Sequence, residues 1–370
     1  MKHLLDRRST LLAACAIVIT AAGAQAQGRY TITREAEVVR MQDTREQISV
    51  SILSTASNAY EMTVKGQDVI RKTFATLDDF RARPGMNGIP FLSPFANRLD
   101  EQAFYANGKK YNFDMELGNV RGAIPIHGYL SAATDWTLLE AKADDRSAWV
   151  TSRLDFYRNP QYMQQFPFAH VVTMTYRLAD GMLEVHTRLE NLSTEPMPVA
   201  IGFHPYFQLT DSIREEWTLS VGAKTHWLLA PNLVPTGETQ PITKRLPDAA
   251  RVALKEVKLD DVFSDLERDA QGRATVTLKG KQQQLDVLVG PKFRTLVLYT
   301  PPPGAGRGGP AAAPAPPAPA PPDRGSVAIE PMAGITNSMN LAHKGVYKEL
   351  QSVPPGSSWE ESFWIRPRGF

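Results

Sequence analysis

Four short motifs place a titratable or hydrogen-bonding side chain beside Gly or Pro, where a chain leaves a sheet. His127 stands in Ile124-Pro125-Ile126-His127-Gly128-Tyr129, and His204 in Ile201-Gly202-Phe203-His204-Pro205-Tyr206-Phe207. Glu330 closes the apolar run Val327-Ala328-Ile329 and precedes Pro331, while Asn97 and Arg98 follow Pro94-Phe95-Ala96. Partial burial can tune a carboxylate or an imidazole to exchange protons near neutral pH. Each residue alone has a plainer reading: a lone histidine is more often structural, and a lone Glu a solvated strand terminus. They matter only as a set. Other chemistries lack their residues. The one cysteine, Cys15, excludes a disulfide framework within the chain and a Cys-based zinc site. Gly-x-Ser-x-Gly, Gly-x-Gly-x-x-Gly, His-Glu-x-x-His and phosphate-loop motifs are all missing.

Side chains of this kind need strand ends to hold them. Leu183, Val185, Thr187 and Leu189 alternate with Glu184, His186, Arg188 and Glu190, the period-2 pattern of a half-buried strand. Asp180-Gly181 joins that run to the β-rich Val171–Leu178 and predicts a hairpin. Asn107-Gly108, between Phe104-Tyr105 and Tyr111/Phe113, predicts a second. Further strands are expected at 137–141, 148–156, 274–278, 285–289, 295–300 and 326–329. One short helix is expected at 76–83. Many short strands closed by turns predict an all-β fold, a large antiparallel β-sandwich in one domain over 27–370. No fixed-period repeat suggests a propeller or solenoid.

Composition agrees: 42% hydrophobic against 22% charged residues excludes general disorder. Residues 301–322 hold ten prolines, seven alanines, four glycines and Arg307, which predicts a solvated loop inserted between two strands. Residues 1–26 read as an export signal: Lys2, Arg7 and Arg8, an apolar stretch from Leu11 to Ala24, then Ala24-Gln25-Ala26. A periplasmic location is expected, with Arg7-Arg8 offering a twin-arginine route. Leu12-Ala13-Ala14-Cys15 looks like a lipoprotein box, but the apolar stretch continues past Cys15, so a lipid anchor is disfavoured. The leader carries three basic residues and Asp6, which accounts for the formal charge of +2. Neither a nucleic-acid partner nor a membrane span is expected.

As a set, the motifs resemble the aldose 1-epimerase (galactose mutarotase) family. Ala96-Asn97-Arg98, Ile126-His127-Gly128 and Gly202-Phe203-His204-Pro205-Tyr206-Phe207 stand in that family's order. Leu259-Asp260-Asp261-Val262-Phe263 and Leu298-Tyr299-Thr300 … Ile329-Glu330-Pro331-Met332 follow. The resemblance spans roughly residues 50–367 and implies the family's galactose mutarotase-like supersandwich. It further implies a cofactor-independent isomerase, with no metal, that interconverts the α and β anomers of a free sugar. In that reading Glu330 is the base and His204 the acid. His127 hydrogen-bonds the sugar, Arg98 and Asn97 grip hydroxyls, and Asp260 binds substrate.

Three positions depart from the family pattern. Tyr129 replaces a frequent second glycine and is expected to narrow the cleft floor. Val297 stands where a glutamine is common, so one sugar hydroxyl loses a partner. Asp261 replaces a common histidine. Two other functions compete. A non-catalytic carbohydrate-binding protein would keep the cleft without proton transfer. A glycosidase would pair Glu330 with Asp260 across one bond, but would give His-Pro-Tyr-Phe no task.

Overall fold

The turn dipeptides fold as their residue types dictate. The computed structural model describes residues 28–82, 84–302 and 324–370. Asp180 and Gly181 take φ of 49° and 72°, as do Asn107 and Gly108 at 52° and 75°. Paired positive φ is the type I′ geometry whose twist matches that of the flanking strands. The strands His170–Ala179 and Met182–Asn191 close in register with Ala179 opposite Met182, and Ala106 lies opposite Lys109 in the second hairpin. Along Met182–Asn191 the apolar residues Leu183, Val185 and Leu189 point inward while their neighbours are half-buried.

Three antiparallel sheets carry most of the chain. The largest has nine strands, with Met182–Asn191 and Gln284–Val289 flanking the C-terminal strand Ser358–Arg368. Opposed to it lies an eight-stranded sheet, whose main path runs Pro235–Pro241, Ala223–Leu229, Asp260–Leu266, Thr295–Tyr299, Val327–Met332, Gly202–Phe203 and Phe91–Leu92. Its eighth strand, Tyr206–Phe207, also pairs with Val327–Met332. The two inner faces meet through aromatic rings: Phe203 of the smaller sheet packs on Phe363 of the larger at 4.9 Å, and Phe293 bridges to Trp359 at 5.9 Å. Buried apolar side chains from Tyr30 to Ile365 form one continuous cluster across all three sheets. The structure thus bears out the all-β antiparallel expectation.

The third sheet, five strands between Tyr30 and Asp68, was not expected. It packs against the Thr137–Ala143, Ala148–Leu154 and His170–Ala179 strands. Its turns carry Ala36, Gln47, Ser57 and Lys65 in the left-handed region, with φ between 45° and 54°. Asn-Gly or Asp-Gly would have announced such turns; these residues do not. The C-terminal strand was missed as well, because Phe363-Trp364-Ile365 blurs its alternation. The expected helix forms over Leu77–Ala82, capped by Thr76 and Asp79, which exchange backbone and side-chain hydrogen bonds at 3.0 and 3.2 Å. Residue 83, the leader and all but the first two residues of the Pro/Ala insert lie outside the described residues.

Candidate active site

Register brings His204 and Glu330 together. On the strand Val327–Met332, Ala328 pairs with Tyr206 and Met332 with Gly202. Counting between these pairs, His204 falls opposite Glu330. The ladder is interrupted there, because Pro205 has no N–H to donate. Side chains directly opposite one another on one face approach within about 5 Å at Cβ. His204 Nε2 accordingly lies 3.1 Å from Glu330 Oε1. The sequence reading placed Glu330 at a strand end; instead it sits inside a strand that continues through Pro331. A proline is tolerated in that position because the interrupted neighbour asks for no N–H.

Both members of the pair are buried, Glu330 to 1% exposure and His204 to 5%. Glu330 Oε2 and His204 Nδ1 have no hydrogen-bond partner among the described residues. Burial raises the Glu330 carboxyl well above its usual range, with the nearby Asp260 adding to the rise and Arg98 opposing it. Burial also pushes His204 down to about 3, helped by the charges of Arg98 and Arg71. The two shifts favour the same state, an uncharged carboxylic acid beside an uncharged imidazole. Buried polar atoms are nearly always paired, so two orphans on facing titratable groups make this pair the candidate site.

The remaining expected residues converge on this pair. Gly128 at φ 57° packs so tightly that an added Cβ would lie 2.1 Å from Ser93 O, which sets the His127 loop directly on the 93–97 segment. His127 and Asn97 both adopt positive φ, 61° and 58°, a strained conformation that clusters at functional sites. Their backbones lock together: His127 N donates to Asn97 O at 2.8 Å, and Asn97 N donates to His127 Nδ1 at 3.2 Å. With Nδ1 accepting, the imidazole proton resides on Nε2. The His127 ring stands edge-on to His204 at 5.2 Å. Burial holds His127 uncharged, reinforced by His204, Arg98 and Arg121.

Asn97 also acts within the chain. Its Oδ1 accepts from both Arg98 N and Arg98 Nη1 at 2.9 Å, so it orients the guanidinium. Arg98 Nη2 in turn meets Asp260 Oδ2 at 3.4 Å. Asp260 is the more open partner, and burial raises its carboxyl more than Arg98 lowers it. The Arg98 loop is clamped from outside the site: Asn340 Nδ2 donates to Asp100 Oδ1 at 2.8 Å, and Lys344 pairs with Asp100. That clamp joins residues 240 positions apart and left no trace in the sequence.

Two of the three departures resolve into packing. Tyr129 does not line the cleft. It is buried against Tyr162 and Phe156, and its hydroxyl donates to Tyr162 O at 3.1 Å. Asp261 points to the opposite face of the sheet from Asp260, where it accepts from Arg245 and pairs with His226. Val297 does stand beside the pair, opposite Glu330 in register, with Val262 next in the row. Both valines are buried in a small apolar cluster, so this side of Glu330 offers no polar partner. Sequence reasoning overlooked Tyr206 and Tyr299, which flank His204 at ring distances of 4.7 and 6.5 Å. Tyr206 was visible as the third residue of His-Pro-Tyr-Phe.

Elsewhere, a groove of about 610 Å³, lined by residues that include Asp135, Leu154, Arg158 and Pro160, contains none of these residues. Among the described residues there is no group of three or more His, Cys, Asp or Glu placed to hold a metal, and no helix long and apolar enough to cross a membrane.

Comparison with known proteins identifies the family and the fold. The family model described as aldose 1-epimerase matches residues 37–366. The uncharacterized protein YihR of Escherichia coli (strain K12) is 24% identical over 198 residues, which is 53% of this chain and 59% of YihR. The chain therefore spans less than two thirds of that relative. A crystal structure of a galactose mutarotase-like protein from Clostridium acetobutylicum superposes with a TM-score of 0.75 at 21% identity, covering 92% of this chain and 98% of that one. Galactose 1-epimerase from Lactobacillus acidophilus NCFM gives 0.63 at 13% identity, covering 92% and 98%. At such identities these structures speak for the fold alone.

Proposed function

The chain belongs to the aldose 1-epimerase family, and we propose that it interconverts the α and β anomers of a free aldose at the His204–Glu330 pair. The observation that carries this reading is the 3.1 Å contact between two buried groups that each keep an unpartnered atom. The anomeric hydroxyl and the ring oxygen are bonded to the same sugar carbon. Two proton carriers this close can therefore each face one of those oxygens.

The protons balance within the pair. With a closed ring bound, ionised Glu330 takes the proton of the anomeric hydroxyl while protonated His204 gives its proton to the ring oxygen. The bond between the anomeric carbon and the ring oxygen breaks, leaving an open-chain aldehyde, a carboxylic acid and a neutral imidazole. Rotation of the aldehyde presents its other face, the freed hydroxyl attacks, His204 recovers its proton, and Glu330 returns the other. The charged and uncharged pairs hold the same number of protons, so no exchange with water is needed. Desolvation favours the uncharged pair that accompanies the open-chain sugar and opposes the charged pair; in the closed-ring complex the sugar's own oxygens and hydroxyls supply the hydrogen-bond partners that Glu330 and His204 otherwise lack. His127 Nε2–H donates to the sugar, and the Arg98–Asp260 couple grips hydroxyls.

The test is mutarotation of freshly dissolved α-glucose, α-galactose, xylose and arabinose, followed by polarimetry or NMR. Equilibration above the spontaneous rate for at least one aldose supports the reading. Sugar binding with no acceleration anywhere would replace it with a carbohydrate-binding protein. For the leader at 1–26 we propose export to the periplasm, checked by cell fractionation of the full chain.

A further inference from the structure

We infer that Asn340 is a positioning residue for this site: by holding Asp100 from the helix Ser338–His343, it sets the Arg98 guanidinium where it grips the sugar. The inference deepens the mutarotase reading and rests on it.

Asn340 is fully buried, and it spends both amide hydrogens on the loop that carries Arg98. Its Nδ2 donates to Asp100 Oδ1 at 2.8 Å and to Ala103 O at 3.0 Å, while its Oδ1 has no partner among the described residues. Stability alone does not account for an amide here, because a buried oxygen left unpaired costs about as much as one of those two bonds returns. Two further groups from the same segment reach Asp100. Lys344 pairs with Oδ2, and Asn337, in the left-handed region at φ 63°, accepts from Asp100 N through its Oδ1 at 3.3 Å. Burial acts to raise the Asp100 carboxyl, but the hydrogen bonds, those of Asn340 and Lys344 foremost, outweigh it and hold the group ionised below its usual range.

The helix is a firm base for this hold. Its Leu341 shares one buried apolar cluster with Ile335, with Met332 on the strand of Glu330, and with Ala96, two residues before Arg98. His343 stacks on Tyr105 at 4.0 Å with the rings within 4° of parallel. One short element is therefore packed on both the Glu330 strand and the Arg98 loop. On its other side that loop is fixed to the His127 segment, where Leu99 N donates to Pro125 O at 3.1 Å.

Arg98 is sensitive to this placement. Asp100 is two residues on, at most about 7 Å along the chain, so a shift of Asp100 is passed to Arg98 with little slack. The Arg98 Nη2 contact with Asp260 Oδ2 is 3.4 Å, already at the outer edge of hydrogen-bond length. A further shift of about 0.5 Å would part it. Lys344 is 46% exposed at its side chain, so its ion pair is weakened by solvent. Most of the hold belongs to Asn340.

The experiment is a double-mutant cycle between Asn340→Ala and Arg98→Ala in the full chain, read by NMR anomer exchange with D-glucose and D-galactose as probes. Asn340→Ala should raise KM about fivefold, the worth of one hydrogen bond to a charged group, with kcat changed less than about twofold. A grip made equally in ground and transition states acts on KM in this way, and KM does not depend on folded yield. In the Arg98→Ala background the same change should leave kcat/KM per folded molecule unaltered, because the residue it acts through is gone. Asp100→Asn, at the half-buried end of the contact, removes the charge that strengthens both bonds and should raise KM about threefold even where Asn340→Ala folds poorly. An unchanged KM in either folded variant, or an equal loss with and without Arg98, overturns the inference and leaves mutarotation standing. Wild-type protein that binds the sugars without accelerating exchange overturns the mutarotase reading instead, and the same cycle on the Kd from NMR titration then decides the positioning role. Neither binding nor acceleration overturns both.

Discussion

The eight-stranded sheet carries two histidine–carboxylate pairs, and they behave in opposite ways. His226 Nε2 meets Asp261 Oδ1 at 2.8 Å, a shorter contact than the 3.1 Å of His204 with Glu330 and one with a slightly more open carboxylate. Around it every group has a partner: Gln240 lies 3.0 Å from His226 Nδ1, and Arg245 donates to both Asp261 oxygens at 2.8 and 2.9 Å. Burial acts to raise the Asp261 carboxyl, but the His226 and Arg245 hydrogen bonds outweigh it and hold the group below its usual range. At Glu330 nothing comparable opposes burial, and the carboxyl rises. A satisfied pair is a fastening. An unsatisfied one has room for substrate atoms to complete the set, the role proposed for His204 and Glu330.

The contrast can be broken most severely at His204. His204→Asn removes the acid and should lower kcat by at least about 100-fold, the lower range for a positioned proton carrier. Combined with Glu330→Gln it should be little worse than either change alone, because the two act as a unit. Full additivity in the rates would show that they do not.

Removing the other pair should act on stability. Asp261→Ala leaves Arg245 and His226 facing a gap and should cost about 2 kcal/mol, below the usual range for a broken buried pair because Arg245 keeps some contact with water. Turnover per folded molecule should be unchanged. The sign with pH follows from the lowered carboxyl: Asp261 contributes stability above the unfolded aspartate value of about 3.9, and loses it as pH falls through the folded value. The gap between wild type and Asp261→Ala in denaturant melts should therefore close on acidification. A gap that widens would contradict the assignment.

The smallest effect belongs to Tyr129→Phe. It deletes one hydrogen bond to Tyr162 O and should cost about 1 kcal/mol, with KM unchanged for every sugar. A shift in KM would return Tyr129 to the cleft.

What the sequence disclosed follows the range over which each signal acts. Asp180-Gly181 and Asn107-Gly108 encode their turns in two residues, and the alternation at 183–190 encodes its own face. The candidates His127, His204, Glu330 and Asn97-Arg98 were legible because each sits near Gly or Pro in a local motif, whereas Asp260 was reached through the family resemblance alone. The N-terminal sheet was not, since Ala36, Gln47, Ser57 and Lys65 are forced into left-handed turns by the pairing of strands around them rather than by their own preferences. Contacts set by tertiary packing were equally silent: Asn340 on Asp100, Arg245 on Asp261, and the oxygen Asn97 gives to Arg98. That Asp260 and Asp261 belong to opposite faces is implicit in a strand's period of two. Which face is the cleft depends on pairing partners far away in the chain.

Glu330→Gln joins both halves of the comparison in one protein. The amide keeps the side chain's shape but accepts no proton at neutral pH. A carboxyl raised by burial destabilises the fold increasingly as pH rises above the unfolded glutamate value of about 4.3, so replacing it should raise Tm, more at pH 8 than at pH 5. Anomer exchange by NMR on that stabilised variant, beside wild type and with the uncatalysed sugar as baseline, is the most direct measurement. Exchange at the baseline in a protein that melts no lower than wild type is the expected result; exchange at the wild-type rate would mean that the unsatisfied pair is not where the sugar ring opens.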